Sequence, residues 1–432
     1  MTHRRILHIA LPGIVSNVTV PLLTLFDTAI SGHMGSPAVI GAVSVGSMLF
    51  NTMYWLFAFL RLSTGGHTAQ ALGRCDRQAI RHNMQRGLSK AFMYGILILL
   101  LSPLILHLSL PFITTDPHVS RLSSRYYYIC IWGAPATLAT FVINGWYVGL
   151  GNTRIPMYIS IGQNVANILL SLYLVQVRHM GISGLACGTL ASQWLACLVA
   201  YAMHHTAIPS FQASAPISDT PSATPSAPAT DISLFLRTLC MIIVHFMFVT
   251  AGARQGAATL AANTVMMTMF VIFSYFMDGF ANAGESLAGQ AAGRGDRHEY
   301  QATVHKLFQW GLAISTLFTV SYFILGPWFL TLLTDSRPVL RVIHTYRPWA
   351  VAIPYASMAA FIWDGIYVGT MRARYMLLST ASAMAVFLCG YHTLIPHIGN
   401  HGLWLSFIAY LAVRGFILTY CRNRYTIPHT PR

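Results

Sequence analysis

The chain has 432 residues, of which 55% are hydrophobic and only 9% charged, with a mean hydropathy of +0.56. An average soluble protein carries about 25% charged residues, so 26 basic and 11 acidic side chains cannot cover a water-facing surface of this size. Hydrophobicity at this level also excludes intrinsic disorder. What remains is an all-α polytopic membrane protein, whose net charge of +15 suits the anionic face of a bilayer and not nucleic acid.

About 20 apolar residues cross the hydrocarbon core as a helix. Read in chain order, the runs predict spans near 6–30, 39–63, 91–113, 125–150, 156–177, 182–203, 232–253, 257–285, 304–333, 345–370, 375–396 and 400–421. The first run follows Arg4 and Arg5 as a signal peptide would, but its length, Pro12, Pro21 and Asp27 favour a retained helix. With the N-terminus inside, 17 Lys and Arg residues fall on the inner side and 7 on the outer. The positive-inside rule then predicts a multi-pass inner-membrane protein with both termini cytoplasmic. Residues 204–231, rich in Pro, Ser and Ala, read as a cytoplasmic linker between a six-helix lobe at 1–203 and another at 232–432. Seven cysteines without CxxC spacing indicate neither a disulfide framework nor a metal site.

The two halves repeat at an offset of 220. FVINGWYVGLGNTR (141–154) aligns with FIWDGIYVGTMRAR (361–374), and AQALGRCDR (69–77) aligns with its counterpart ending at Arg297. GISGLA (181–186) and GNHGLW (399–404) match more weakly at 218. Two long matches at one spacing mark an internal duplication. Six helices per half predict parallel copies related by a pseudo-twofold along the membrane normal, an architecture of transporters.

Four segments carry a family resemblance: PGIVSNVTVPLLTLFDTAISGHMG (12–35), FNTMYWLFAFLRLSTGGHTAQALG (50–73), MDGFANAGESLAGQAAG (277–293) and FIWDGIYVGTMRARYM (361–376). They resemble the multidrug and toxic compound extrusion (MATE) family, in its DinF-like branch. The resemblance implies a 6+6 helix antiporter that exports organic cations or other amphipathic compounds in exchange for H⁺ or Na⁺. It implies no other cofactor and no enzyme activity. Small organic substrates and the bilayer are the expected partners, and a monomer the expected state.

Ionisable groups inside spans are costly and mark cavities or ion pathways. Asp27 is the sole acid of the first span, beside a stripe of Asn17, Thr24 and Thr28. The resemblance implies that Asp27 is the coupling residue of the N-terminal half; an acid reaching interfacial water is the alternative. In the fifth span Ser160, Gln163, Asn164, Asn167 and Ser171 form a polar face, read either as cavity lining or as interhelical glue. The family often has an acid at the place of Ser171, which leaves Asp27 to work with neutral groups. Asp278, Asn282 and Glu285 share a face of the eighth span, either as a second coupling site or as structural partners of Arg61. Asp364, with Tyr367, is implied to contribute to a Na⁺ site in the C-terminal half, while Tyr147 and Tyr367 are candidates for the substrate cavity.

Two other readings fit less well. A flippase for lipid-linked precursors keeps the architecture but calls for a cleft dominated by arginine, whereas only Arg61 and Arg414 are left within spans once the other basic residues are assigned to the two faces. A membrane-embedded transferase calls for a large polar loop with carboxylate or His clusters, which the sequence lacks; P-loop, HExxH and GxSxG motifs are also missing.

Overall fold

The computed structural model describes residues 2–34, 36–114, 116–207, 227–326, 328 and 336–422. Among the described residues twelve helices are long and apolar enough to cross a membrane. They are α1 (His3–Gly32), α2 (Pro37–Gly73), α3 (Arg77–Pro111), α4 (Pro117–Gly149), α5 (Arg154–Val177) and α6 (Ile182–His204) in the first half. The second half holds α7 (Pro228–Arg254), α8 (Ala257–Arg294), α9 (Arg297–Ile324), α10 (Arg337–Gly369), α11 (Ala373–Thr393) and α12 (Ile395–Cys421). Helical structure runs on to Ala207 and resumes at Ala227, so the helices take in both ends of the expected linker. Residues 208–226 of that linker, and the last part of the expected 304–333 span, lie outside the described residues.

The ends of these helices follow local chemistry. Pro37 and Pro117 begin α2 and α4, where a missing N–H costs nothing. The Asp76 carboxylate caps α3 by accepting from the Ala79 N–H at 2.8 Å, and Asp296 caps α9 by accepting from Glu299 N–H at 2.8 Å. These caps stand 220 residues apart. So do the left-handed residues that precede them, Cys75 (φ 59°) and Gly295 (φ 72°). Large apolar side chains such as Leu25, Leu100, Phe323 and Phe416 remain exposed on the helices, as lipid-facing positions require.

The sequence repeat is a repeat of helix crossings. A Cβ on Gly145 would lie 2.2 Å from the Arg61 carbonyl oxygen, and one on Gly365 would lie 2.1 Å from that of Ala281. One turn further, Gly149 rests on the carbonyl of Gly65 and Gly369 on that of Glu285. Each pair of partners is again 220 residues apart. The shared GxxxG spacing therefore lets α4 touch the backbone of α2, and α10 touch that of α8, where any side chain would hold them apart.

The chain divides into two compact units, one of Val15–Pro221 and one of Met1–Ile14 with Ser222–Arg432. The sequence assigned all of α1 to the first lobe, whereas its opening turns pack with the second half. A Cβ on Gly279 of α8 would meet the Ala10 carbonyl at 2.7 Å and the Ile14 side chain at 2.5 Å. Arg5 donates to the Gln290 side-chain oxygen at 3.1 Å, and the Trp310 indole N–H donates to His3 at 3.1 Å.

Gly145→Val and Gly365→Val should each destabilise the protein by about 1–3 kcal/mol or more, because overpacking forces the helices apart. Gly162→Ala, whose added Cβ meets nothing within 4 Å, should leave stability unchanged or slightly raised. Thermal unfolding of the detergent-purified variants measures the contrast.

Candidate functional site

In the first unit, Asp27 sits in the second half of α1. Its Oδ1 is buried and makes no hydrogen bond among the described residues. The carboxyl group lies close enough to Tyr126 and Cys130 of α4 for its charge to act on both. Tyr126 is fully buried, and its hydroxyl is within reach of Ser47 and Thr189. Thr189 in turn accepts from the Asn167 amide at 3.1 Å and donates to the Leu185 carbonyl at 3.1 Å, while Ser171 donates to Asn167 Oδ1 at 3.4 Å. A polar chain thus runs from α1 through α4 and α6 to α5, and its end at Asp27 lacks a donor.

The expected polar face of α5 is therefore divided. Asn167 and Ser171 are buried in the contact with α6, where a Cβ on Gly188 would collide with Ser171. Asn164 turns to α1 and donates to the Thr19 carbonyl at 3.2 Å. Gln163 is half-buried. On α1, Asn17 is half-buried and engaged. Thr24 and Thr28 are exposed, and the Thr28 hydroxyl donates to the Thr24 carbonyl of its own helix at 2.8 Å. Arg61 is half-buried and engaged, and its carbonyl forms the crossing with Gly145. Tyr147 is only 1% exposed and packs edge-on to Trp146 inside the bundle.

In the second unit Asp364 departs most from its expected part. Its Oδ2 receives both Arg237 of α7 and Arg414 of α12, each at 2.5 Å. Both guanidinium groups are buried, and Arg414 also stacks 5.5 Å from the Tyr410 ring centre. A carboxylate shared by two arginines belongs to a group of net charge +1, an arrangement that works against the Na⁺ site expected at Asp364. Tyr367, its expected co-ligand, is buried and donates to the Leu418 carbonyl at 2.8 Å, a bond that ties α10 to α12. Among the described residues no group of three or more His, Cys, Asp and Glu is arranged to hold a metal. On α8, Glu285 is buried and Asp278 lies beside Tyr275; both are engaged by neighbours. Asn282 packs against Gly13 of α1.

Sequence reasoning missed Tyr126 and Thr189, although the Tyr run at 126–128 inside a span was a usable signal. It also missed Arg237, placed at the water interface, as the second partner of Asp364. A buried network in which Asn263 and Asn400 exchange amide hydrogen bonds at 2.8 and 2.9 Å, with Trp404 donating to Asn263 at 2.9 Å, had no repeat to flag it.

Twelve helices long and apolar enough to cross a membrane, a duplicated helix crossing and ionisable groups within the helices are features of a membrane transporter. The MatE family model matches residues 12–173 and 232–389, and the chain belongs to that family. It is 34% identical over 413 residues to the DNA damage-inducible protein F of Escherichia coli, covering 95% of this chain and 90% of that protein. This places it in the DinF-like branch. A probable multidrug resistance protein NorM of Photorhabdus laumondii is 24% identical, covering 78% of this chain and 76% of that one. Among solved structures, an outward-facing multidrug resistance MATE family transporter of the MOP superfamily matches with a TM-score of 0.86 at 18% identity, over 98% of this chain and 95% of that one. Members of this family are transporters, and the chain is one of them rather than an enzyme.

Asp364→Ala strands two buried guanidinium groups, which should cost about 3–5 kcal/mol. The double variant Arg237→Met with Asp364→Asn, which leaves one cation beside a neutral amide, should recover part of that loss. Chemical denaturation of the purified proteins reads both values.

Proposed function

We propose that the protein is a cation-coupled antiporter that exports organic cations, drugs or other xenobiotics by alternating access, with Asp27 as the residue shared by cargo and coupling ion. The observation that carries this reading is the buried Asp27 oxygen without a donor beside Tyr126. A carboxylate in that setting needs a proton or a cation as its partner. Cargo and coupling ion then exclude one another at one atom pair, which is the differential affinity that exchange requires. Deprotonated Asp27 holds the organic cation; protonation from outside neutralises the carboxylate, weakens binding and releases the cargo.

H⁺ is favoured over Na⁺ as coupling ion, because the helix 5 position that would supply a second carboxylate is Ser171 and Asp364 is committed to two arginines. The multidrug resistance function named for related proteins supports the substrate class. The flippase reading loses ground, since Arg237 and Arg414 serve Asp364 instead of an anionic headgroup. A monomer with both termini cytoplasmic completes the proposal.

Asp27→Asn should insert and fold normally, yet lose ethidium efflux from reconstituted vesicles to the level of empty liposomes. Efflux by the unaltered protein should follow an imposed pH gradient and ignore a Na⁺ gradient. Full efflux by the variant, or drive by Na⁺ alone, defeats the assignment.

A further inference from the structure

Beyond the Asp27 cluster, α4 carries a row of polar groups whose hydrogen bonds are unmade. Thr137 Oγ1, Asn144 Oδ1 and the Tyr147 hydroxyl are buried and make no hydrogen bond among the described residues. With the 3₁₀ turn at Ile131–Gly133 counted at three residues per turn, these positions line up with Cys130 and Tyr126 on one side of the helix. Across from the row, Tyr54 and Thr68 of α2 and Gln193 of α6 also hold buried oxygens without such bonds. Tyr54 lies near Cys130, Thr137 and Gln193, yet none of these oxygens makes an aligned bond to another. Thr68 lies beside Gly149, next to the Tyr147 end.

The burial is deep: Tyr54 is 6% exposed, Gln193 7%, Tyr147 1% and Thr68 0%. Buried polar atoms are almost always paired, with protein or with ordered water. The second unit supplies an internal control. At the offset of 220, Thr137 becomes Ser357, which donates to the Ile353 carbonyl at 2.7 Å, and Tyr54 becomes Ser274, which donates to Val271 at 2.7 Å. Asn144 becomes Asp364 with its two arginines, Tyr147 becomes Tyr367 bonded to Leu418, and Thr68 becomes Ala288. At these positions the second copy pairs its hydroxyls or replaces them with an apolar residue, and among the described residues only Asp364 Oδ1 is left without a hydrogen bond, whereas the first copy leaves every one unpaired. The unsatisfied copy is the one that holds the open Asp27 oxygen.

We propose that this row holds a file of water molecules that carries protons between Asp27 and the Tyr147 end of the first unit. It rests on the reading of Asp27 as the coupling carboxylate. From Tyr126 to Tyr147 the helix rises about 30 Å, close to the thickness of the hydrocarbon core. The two longest intervals, Cys130 to Thr137 and Thr137 to Asn144, are each about 10–12 Å, within the span of a few hydrogen-bonded waters. Each hydroxyl or water passes a proton on and receives another, so no group in the row changes its charge on completion. That end of the unit is also where Arg74, Arg77 and Arg81 follow α2.

Radiolytic hydroxyl labelling of the full-length protein in lipid nanodiscs, read by mass spectrometry, tests the water directly. Tyr54 and Tyr147 should be modified several-fold faster than Tyr367, although all three are buried. Equal rates overturn the proposal. Thr137→Val and Gln193→Leu should then slow pH-driven ethidium efflux about tenfold or more, the scale of a lost proton-transfer group, while the equilibrium affinity for ethidium stays unchanged. Undiminished efflux in both overturns the proton role. Loss of ethidium binding only in Asp27→Asn upholds the carboxylate reading independently, so failure of the relay and failure of that reading give different patterns.

Discussion

Backbone-to-backbone contact between helices is the constraint on which this architecture rests. In a lipid environment no hydrophobic force draws helices together, and close approach has to come from small residues. Gly145 and Gly149 against α2, and Gly365 and Gly369 against α8, bring carbonyl oxygens to distances that exclude even a methyl group. Once these crossings are set, the faces of α4 and α10 that look into their bundles are fixed in rotation. The placement of Tyr126 near Asp27, and of Asp364 between Arg237 and Arg414, follows from that rotation.

The two copies have spent their interiors differently. The second unit pairs many of its polar groups with one another: an arginine–aspartate–arginine group, an asparagine pair with a tryptophan, and a tyrosine bonded to a neighbouring carbonyl. Such pairings fix helices against one another. The first unit keeps a carboxylate and several hydroxyls uncommitted. Duplication supplied two similar bodies, and their buried side chains have since diverged.

Twelve spans, the duplication and the family were legible because each rests on a signal many residues long. Apolar runs exceed the bilayer thickness, and the GxxxG segments recur at a fixed spacing. Asp27 stood out as a solitary acid in a membrane span, but the setting of its buried Oδ1 could not be read from the chain. What escaped was pairing in space. Asp364 looked available as a cation ligand because Arg237 and Arg414 are 127 and 50 residues away in sequence, and neither position repeats in the first half. Asn167 and Ser171 presented a plausible cavity face, yet the small residue that buries them, Gly188, sits on a different helix. The division of α1 was equally hidden, because its apolar run continues without a break across Ile14 and Val15.

The turns that end α2 and α8 point to something about the history of the chain. Left-handed backbone is found at Cys75 in one copy and Gly295 in the other, and again at Gly151 and at Met371. In each pair one member has kept glycine and the other tolerates a side chain, with the roles exchanged between the two turns. A reversal of chain direction inherited from a single ancestral segment has thus outlasted the residue best suited to it. The path of the polypeptide, and not the identity of the amino acid at the bend, has been the inherited quantity.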